Sequence, residues 1–333
     1  RIRYLPLLES QRGSGVNEMS TIENCGLRSL SVILSLNDSP NEQWLMEKSE
    51  LLKGRAEDLK IYTEEEYQKI LIFFCNMLQS IAQDLQASNN GTKIRMQVVA
   101  TATLYFKRFY IKRSFKDVDP FLMAPTCLML AAKVEEFGAL STNKMSSAVN
   151  NYVKKTGISV DLTPLRVGSL LEAEFILIEV IDCCLICFQP YRPLKQLFQD
   201  LRDLPSTQYK DLESLEASAV KIINDAIRTD LSMIYPPHMI AIGAFQLSAI
   251  SLHREKEFIN WFADLQVEME KILDIVYTLT SMYKVWKTAE DKEKIKTLFD
   301  RMPKPNPNPP PQQQQMQQMH MMQQRGTMGG RGY

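Results

Sequence analysis

The stretch that most constrains this chain is residues 120–136, which read Pro-Phe-Leu-Met-Ala-Pro-Thr-Cys-Leu-Met-Leu-Ala-Ala-Lys-Val-Glu-Glu. It has almost no polar face before Lys133, and a helix apolar on every side is one surrounded by other helices. Asp119 is placed to cap it, and Pro120 suits its first position. Pro125, a turn further in, either kinks the helix or marks its true start. The small residues Ala124, Thr126, Cys127, Ala131 and Ala132 let those neighbours come close. Lys133, Glu135 and Glu136 then emerge where such a central helix reaches the surface. That junction is the main suspect for function.

The stretch has an echo. Residues 237–252, Pro-His-Met-Ile-Ala-Ile-Gly-Ala-Phe-Gln-Leu-Ser-Ala-Ile-Ser-Leu, lie on it without a gap: Pro120 falls on Pro237, Ala124 on Ala241, Leu130 on Leu247 and Ala132 on Ala249. Small residues recur at Ala241, Gly243, Ala244, Ser248 and Ala249, as two copies of one helical unit require. The copies part at the informative place, because Lys133 is matched by Ile250. The scaffold is repeated and the charge is not.

Helical periodicity runs through the chain on both sides. A leading amphipathic helix is expected from Asn41 to near Asp58, with Trp44, Leu45, Leu51 and Leu52 on its apolar side. Thr63 and Glu66 form a capping box ahead of a helix that carries Tyr67, Ile70, Leu71, Phe74, Leu78 and Ile81. Further helices are expected over 95–112, 120–136, 141–155 and 164–181. The pattern restarts after Pro190 and Pro193, with helices near 194–202, 212–234, 237–253, 257–264, 267–288 and 290–301. No segment offers a hairpin. The fold class is therefore all-α: two tandem repeats of about five helices, over 61–188 and 189–301, preceded by an extra helix at 41–60. Residues 1–40, with Gly13, Gly15, Gly26 and Pro40, read as a disordered leader. The tail at 302–333 is Pro-rich and then Gln/Met-rich, too poor in sustained apolar surface to order itself.

Composition excludes several classes. With 333 residues and 45% of them hydrophobic, the chain can fill two cores. Lys plus Arg and Asp plus Glu both total 39, so there is no overall basic footprint for nucleic acid. No apolar run approaches the roughly 18 residues of a membrane span. The six cysteines form no even framework and read as reduced thiols, and Cys184-x-x-Cys187 is half a zinc site without its second half. No phosphate-binding glycine loop occurs, and His238, His253 and His320 are too scattered to converge. No catalytic residue, metal or cofactor is expected.

Glu174 is the other anomaly. Leu170 and Leu171 precede it, and Leu177 and Ile178 follow it, at helical spacing, so it sits on an apolar face. An ionised carboxylate there costs several kcal/mol unless it is paired. Lys133 is the natural partner. The pair is either an internal bridge or part of an interface, and the spacing alone does not choose.

Ala131-Ala-Lys133-Val-Glu135-Glu136 followed by Glu174 resembles the kinase-contacting Lys/Glu pair of the cyclin box. The likeness runs from about 43 to 305, through Tyr-Phe-Lys-Arg-Phe-Tyr at 105–110, Ala-Pro-Thr-Cys at 124–127, Lys-Val-Glu-Glu-Phe-Gly at 133–138, Pro-Tyr-Arg-Pro-Leu at 190–194, Arg-Thr-Asp-Leu at 228–231, Tyr-Pro-Pro at 235–237 and Met-Pro-Lys-Pro at 302–305. The chain is similar to the cyclin family, and within it to the branch that serves the kinase module of Mediator. The resemblance implies two five-helix cyclin boxes and no enzymatic activity of its own. It implies a nuclear regulatory subunit that activates a cyclin-dependent kinase of that module and meets the module's other subunits, with no membrane and no direct nucleic-acid contact. Its kinase-binding residues would be Lys133, Glu135, Glu136, Phe137, Leu171 and Glu174, with Trp44 and Leu51 of the leading helix helping to select the kinase. The opening helix lacks the Met-Arg-x-x-Leu patch by which cell-cycle cyclins dock substrates, reading Tyr67-Gln-Lys-Ile-Leu-Ile-Phe-Phe74 instead. A rival class is a nucleic-acid-binding transcription adaptor with tandem cyclin-like repeats, which would carry a zinc ribbon and a basic second repeat.

Overall fold

A computed structural model describes residues 44–303, apart from 89–92, 159–161, 163–164, 166, 205–208, 266 and 290–291. The leader and nearly all of the tail lie outside the described residues. Helices α1 (Lys48–Gly54), α2 (Glu64–Ser88), α3 (Met96–Lys112), α4 (Pro120–Val134), α5 (Thr142–Thr156) and α6 (Val167–Val180) come first. Helices α7 (Tyr191–Asp203), α8 (Leu212–Ala226), α9 (Leu231–Ile234), α10 (Pro237–Ser251), α11 (Ile259–Asp264), α12 (Met269–Ala289) and α13 (Lys292–Asp300) follow. Among the described residues every regular element is helical, as the all-α reading expects.

The two apolar stretches are the central helices of two cores. Asp119 caps α4 by accepting from the Phe121 amide at 2.8 Å, and Pro120 occupies the first turn. Pro125 does not start the helix but lies inside it. Every residue of α4 from Met123 to Ala132 is buried, packed chiefly between α3 and α6. Its echo α10 lies chiefly between α8 and α12 in the second core. There the small-residue pattern has a measurable reason. A Cβ added at Gly243 would stand 2.5 Å from Cγ2 of Ile275, so only glycine lets α10 and α12 meet this closely.

The capping box forms as read: the Thr63 amide donates to Glu66 Oε2 at 2.9 Å, and the Glu66 amide donates to Thr63 Oγ1 at 3.3 Å. The single helix expected over 212–234 is instead broken at Ile227. Two carbonyls of that break, on Ile227 and Thr229, accept from Nζ of Lys107, which reaches across from α3 and is 1% exposed. Burial pushes the Lys107 ammonium down, and the two carbonyls are its compensation. Arg228, between them, donates to Asn76 and Gln79 of α2 at 2.9 and 2.7 Å. Continuing the helix would withdraw these groups from the first repeat.

Two boundaries need correction. The leading helix is shorter than the expected 41–58 and belongs to the core. Trp44 and Leu51 are each 3% exposed, and the Trp44 ring lies under Arg108 and Lys112 of α3. Arg55 of the same segment clasps Asp230 of the second repeat with both terminal nitrogens, at 2.7 and 2.8 Å, and the Met46 amide donates to Met233 at 2.9 Å. The segment therefore joins the repeats, and it cannot be an appendage to a self-sufficient box. The last helix, α13, assigned above to the second box, buries Ile295, Leu298 and Phe299 in the first core instead. The Phe299 ring lies 4.7 Å from that of Phe73 and 5.4 Å from that of Phe121. No helix among the described residues is long and apolar enough to cross a membrane.

Candidate functional site

The charge that interrupts α4 meets the charge that interrupts α6. Nζ of Lys133 lies 2.7 Å from Oε1 and 2.8 Å from Oε2 of Glu174, the partnership expected from an isolated carboxylate on an apolar face. The two ends are unequal: the Lys133 side chain is 43% exposed and that of Glu174 only 11%. The ammonium thus bridges both carboxylate oxygens while retaining a face toward solvent. Leu171 and Phe175, a turn apart on α6, are 43% and 58% exposed beside Glu174. Ile186 and Phe188, in the segment after α6, add exposed apolar surface. A charged pair set among exposed apolar side chains has the anatomy of a binding surface.

The end of α4 is shaped by an unusual cap. The Phe137 amide donates to Ala132 at 2.9 Å and the Glu136 amide to Lys133 at 3.2 Å, the paired bonds of a Schellman motif. That motif needs a left-handed residue, usually glycine, and here it is Glu136 with φ 54°. Phe137 packs against the first core and anchors the turn, so it stands beside the surface as a support. Glu135 is committed inward. Its carboxylate accepts from Gln97 Nε2 and Thr101 Oγ1, both at 2.7 Å, and its carbonyl accepts from Arg95 at 2.7 Å. Glu136 is exposed and makes no such contact among the described residues.

Lys133, Glu136, Leu171 and Glu174 are thus brought to one exposed region at the ends of α4 and α6. Trp44 and Leu51 are not part of it, because both are spent in the core. The sequence reading missed Phe175, whose position on α6 resembles that of any core phenylalanine until its neighbours are known. The crowded cysteines differ in exposure. Cys187 is buried, its thiol pushed up to about 11 by that burial, but Cys184 is half-buried and Cys183 exposed. No group of three or more metal-ligating side chains occurs among the described residues.

Comparison with known proteins agrees with this architecture. The family described as Cyclin, N-terminal domain matches residues 55–161, and Cyclin C-terminal domain matches residues 189–287. Cyclin-C of Drosophila melanogaster is 41% identical over 270 residues, covering 80% of this chain and 95% of the relative. Cyclin-C of Rattus norvegicus is 42% identical over 265 residues, covering 79% of this chain and 87% of the relative. Among solved structures, a chain of the CAK complex from Chaetomium thermophilum shares the fold with a TM-score of 0.60 at 21% identity, over 82% of this chain and 89% of that one. A chain of the yeast TFIIK complex matches with a TM-score of 0.53 at 25% identity, over 74% of this chain and 99% of that one. With both cyclin domains matched and more than 40% identity to Cyclin-C relatives over 80% of its length, the chain belongs to the cyclin family, in its cyclin-C group, and is a regulatory subunit rather than an enzyme.

Proposed function

We propose that the chain binds a cyclin-dependent kinase through the surface around Lys133 and Glu174 and activates it. On this reading it holds the kinase's Glu-bearing helix inward, completing the Lys–Glu ion pair that phosphoryl transfer needs. The reading extends to the kinase of the Mediator kinase module, to that module's other subunits, and to nuclear control of RNA polymerase II transcription. The names of the Cyclin-C relatives support the branch. The observation that carries the proposal is the bridged Lys133–Glu174 pair ringed by exposed Leu171 and Phe175. Lys133 contacts both carboxylate oxygens and still faces solvent, where it can donate to a partner's backbone carbonyl. The apolar ring then excludes water and strengthens that contact. Glu136, exposed on its left-handed turn one residue beyond Glu135, is the acid available to a partner's arginine. A carboxylate offers a guanidinium the bidentate geometry of a phosphate with less charge.

The test is a pull-down with the purified chain against the Mediator-module kinase and, in parallel, a promoter DNA duplex. Retention of the kinase, lost in Lys133→Ala and in a Leu171→Asp/Phe175→Asp variant, is the expected result. Retention of DNA without kinase sinks the proposal in favour of the adaptor reading.

A further inference from the structure

The surface around Lys133 has two rims that are far apart in sequence. One is the turn after α4, which holds Glu136 outward at φ 54°. The other is the segment 182–189 after α6, where Ile186 is 62% and Phe188 40% exposed. Neither rim belongs to a helix, so much of its backbone must find partners elsewhere. Both rims find them on one face of α3. Gln97, Thr101, Tyr105, Arg108 and Lys112 follow one another at steps of four, four, three and four, the spacing of a single helical stripe. Gln97 and Thr101 donate to the Glu135 carboxylate, each at 2.7 Å. Tyr105 donates to the Leu185 carbonyl, Nη1 of Arg108 to the Cys184 carbonyl at 3.3 Å, and Lys112 to the Asp182 carboxylate. One helix therefore grips both rims.

Thr101 is the member of the stripe that touches both rims at once. Its hydroxyl donates to Glu135 Oε1 and accepts from Nε2 of Gln189 at 3.3 Å. A hydroxyl carries one donor and two acceptor sites, so it serves both partners without giving up either. Thr101 is fully buried, which shields these two bonds from competing water. Valine has nearly the same shape but can neither donate nor accept.

We propose that Thr101 is a positioning residue for the kinase surface: its hydroxyl fixes the Glu136 turn and the Ile186–Phe188 strip relative to each other, so that both meet the partner as one face. The proposal rests on the kinase-binding reading above, extends that surface to Ile186, and makes its two rims cooperative. Holding the rims in place beforehand removes the ordering cost that two independent segments would meet on binding.

The test is a double-mutant cycle of Glu136→Gln and Ile186→Ala, read as the affinity of the full chain for the Mediator-module kinase by calorimetric titration. In the unsubstituted chain the double variant is expected to lose at least about threefold less affinity than the product of the two single losses. In Thr101→Val the two losses should simply multiply, and the starting affinity should be about tenfold lower, as for a lost hydrogen bond to a charged group. Thr101→Ser keeps the hydroxyl and should restore both values. Gln189→Met cuts the same link from its half-buried end and should also make the losses multiply, which decides the matter if Thr101→Val does not fold. Additive losses in the unsubstituted chain, or coupling that survives in Thr101→Val or Gln189→Met, overturn the proposal. A Thr101→Ser chain no better than Thr101→Val overturns it too, and assigns the position to packing. Hydrogen exchange in the free chain is the arm that needs no kinase: the amides of 185–189 should exchange about tenfold faster in Thr101→Val, with α10 unchanged as the control for the fold. Unchanged exchange at 185–189 refutes the link. If the unsubstituted chain fails to retain the kinase, the kinase-binding reading fails, and the exchange rates still decide whether Thr101 ties the rims together.

Discussion

Removing Lys133 should do two separable things. In the free chain, Lys133→Ala deletes both contacts to Glu174 and leaves a carboxylate whose side chain is 11% exposed without a counter-charge. Breaking a fully buried pair costs about 3–5 kcal/mol. An exposed pair contributes about 0–1 kcal/mol. With Lys133 43% exposed, the pair lies between these limits, nearer the wet one, so a loss of about 1–2 kcal/mol is expected. In a chain of this size that is a fall of about 2–4 °C in Tm. Glu174→Ala strands only a lysine that water can reach, so its cost should stay below about 1 kcal/mol. The order of the two losses is a direct reading of the unequal burial. On kinase binding the two variants should converge, each losing a few kcal/mol as for a desolvated interface charge. Thermal unfolding of the free chain, calorimetric titration with the kinase, and a double-mutant cycle over the two positions separate these effects. A lowered Tm with unchanged kinase affinity would refute the interface role and leave an internal bridge. Equal stability losses in the two variants would refute the reasoning from burial.

Deleting residues 1–58 should abolish cooperative unfolding, because it removes the buried Trp44 and Leu51 and the Arg55 clasp; a sharp residual transition by calorimetry would contradict this. Burial alone would raise the Asp230 carboxyl, but Arg55 beside it overcomes that and holds the group well below the usual carboxylate range. Its contribution is therefore full above the unfolded pKa of about 4 and is lost as pH falls below it, whereas Asp230→Asn, which strands buried Arg55, should cost about 3–5 kcal/mol at pH 7 and flatten the acid limb of the stability–pH curve. Gly243→Ala should destabilise by about 1–3 kcal/mol despite alanine's better helix propensity, since the new Cβ would meet Ile275 at 2.5 Å; denaturant midpoints read this. Glu136→Gly should stabilise the free chain by about 1 kcal/mol by relieving the left-handed glutamate, while Glu136→Gln at saturating cyclin should lower kinase activity. Full activity of Glu136→Gln would end the arginine-binding reading.

Much of this molecule is legible in one dimension. The all-round apolarity of residues 120–132 and of their echo at 237–249 dictates two buried central helices, because such a surface has no solvated alternative. The lone charges at Lys133 and Glu174 announce their own pairing, since a buried carboxylate without a counter-charge is too costly to keep. Caps at Asp119 and Thr63 are local chemistry and are read correctly as such. What tertiary structure alone decides is where amphipathic elements spend their apolar faces. Trp44 and Leu51 have the same helical spacing whether they face a kinase or a core, and only the position of α3 and Asp230 settles it. Phe299 carries nothing in its neighbourhood to say that α13 crosses back to the first repeat. Glu135 and Glu136 are adjacent and identical, yet one is drawn inward by Gln97 and Thr101 and the other is turned out by a left-handed backbone. Periodicity reports which residues must be covered; the identity of the cover is a property of contacts between residues far apart in the chain.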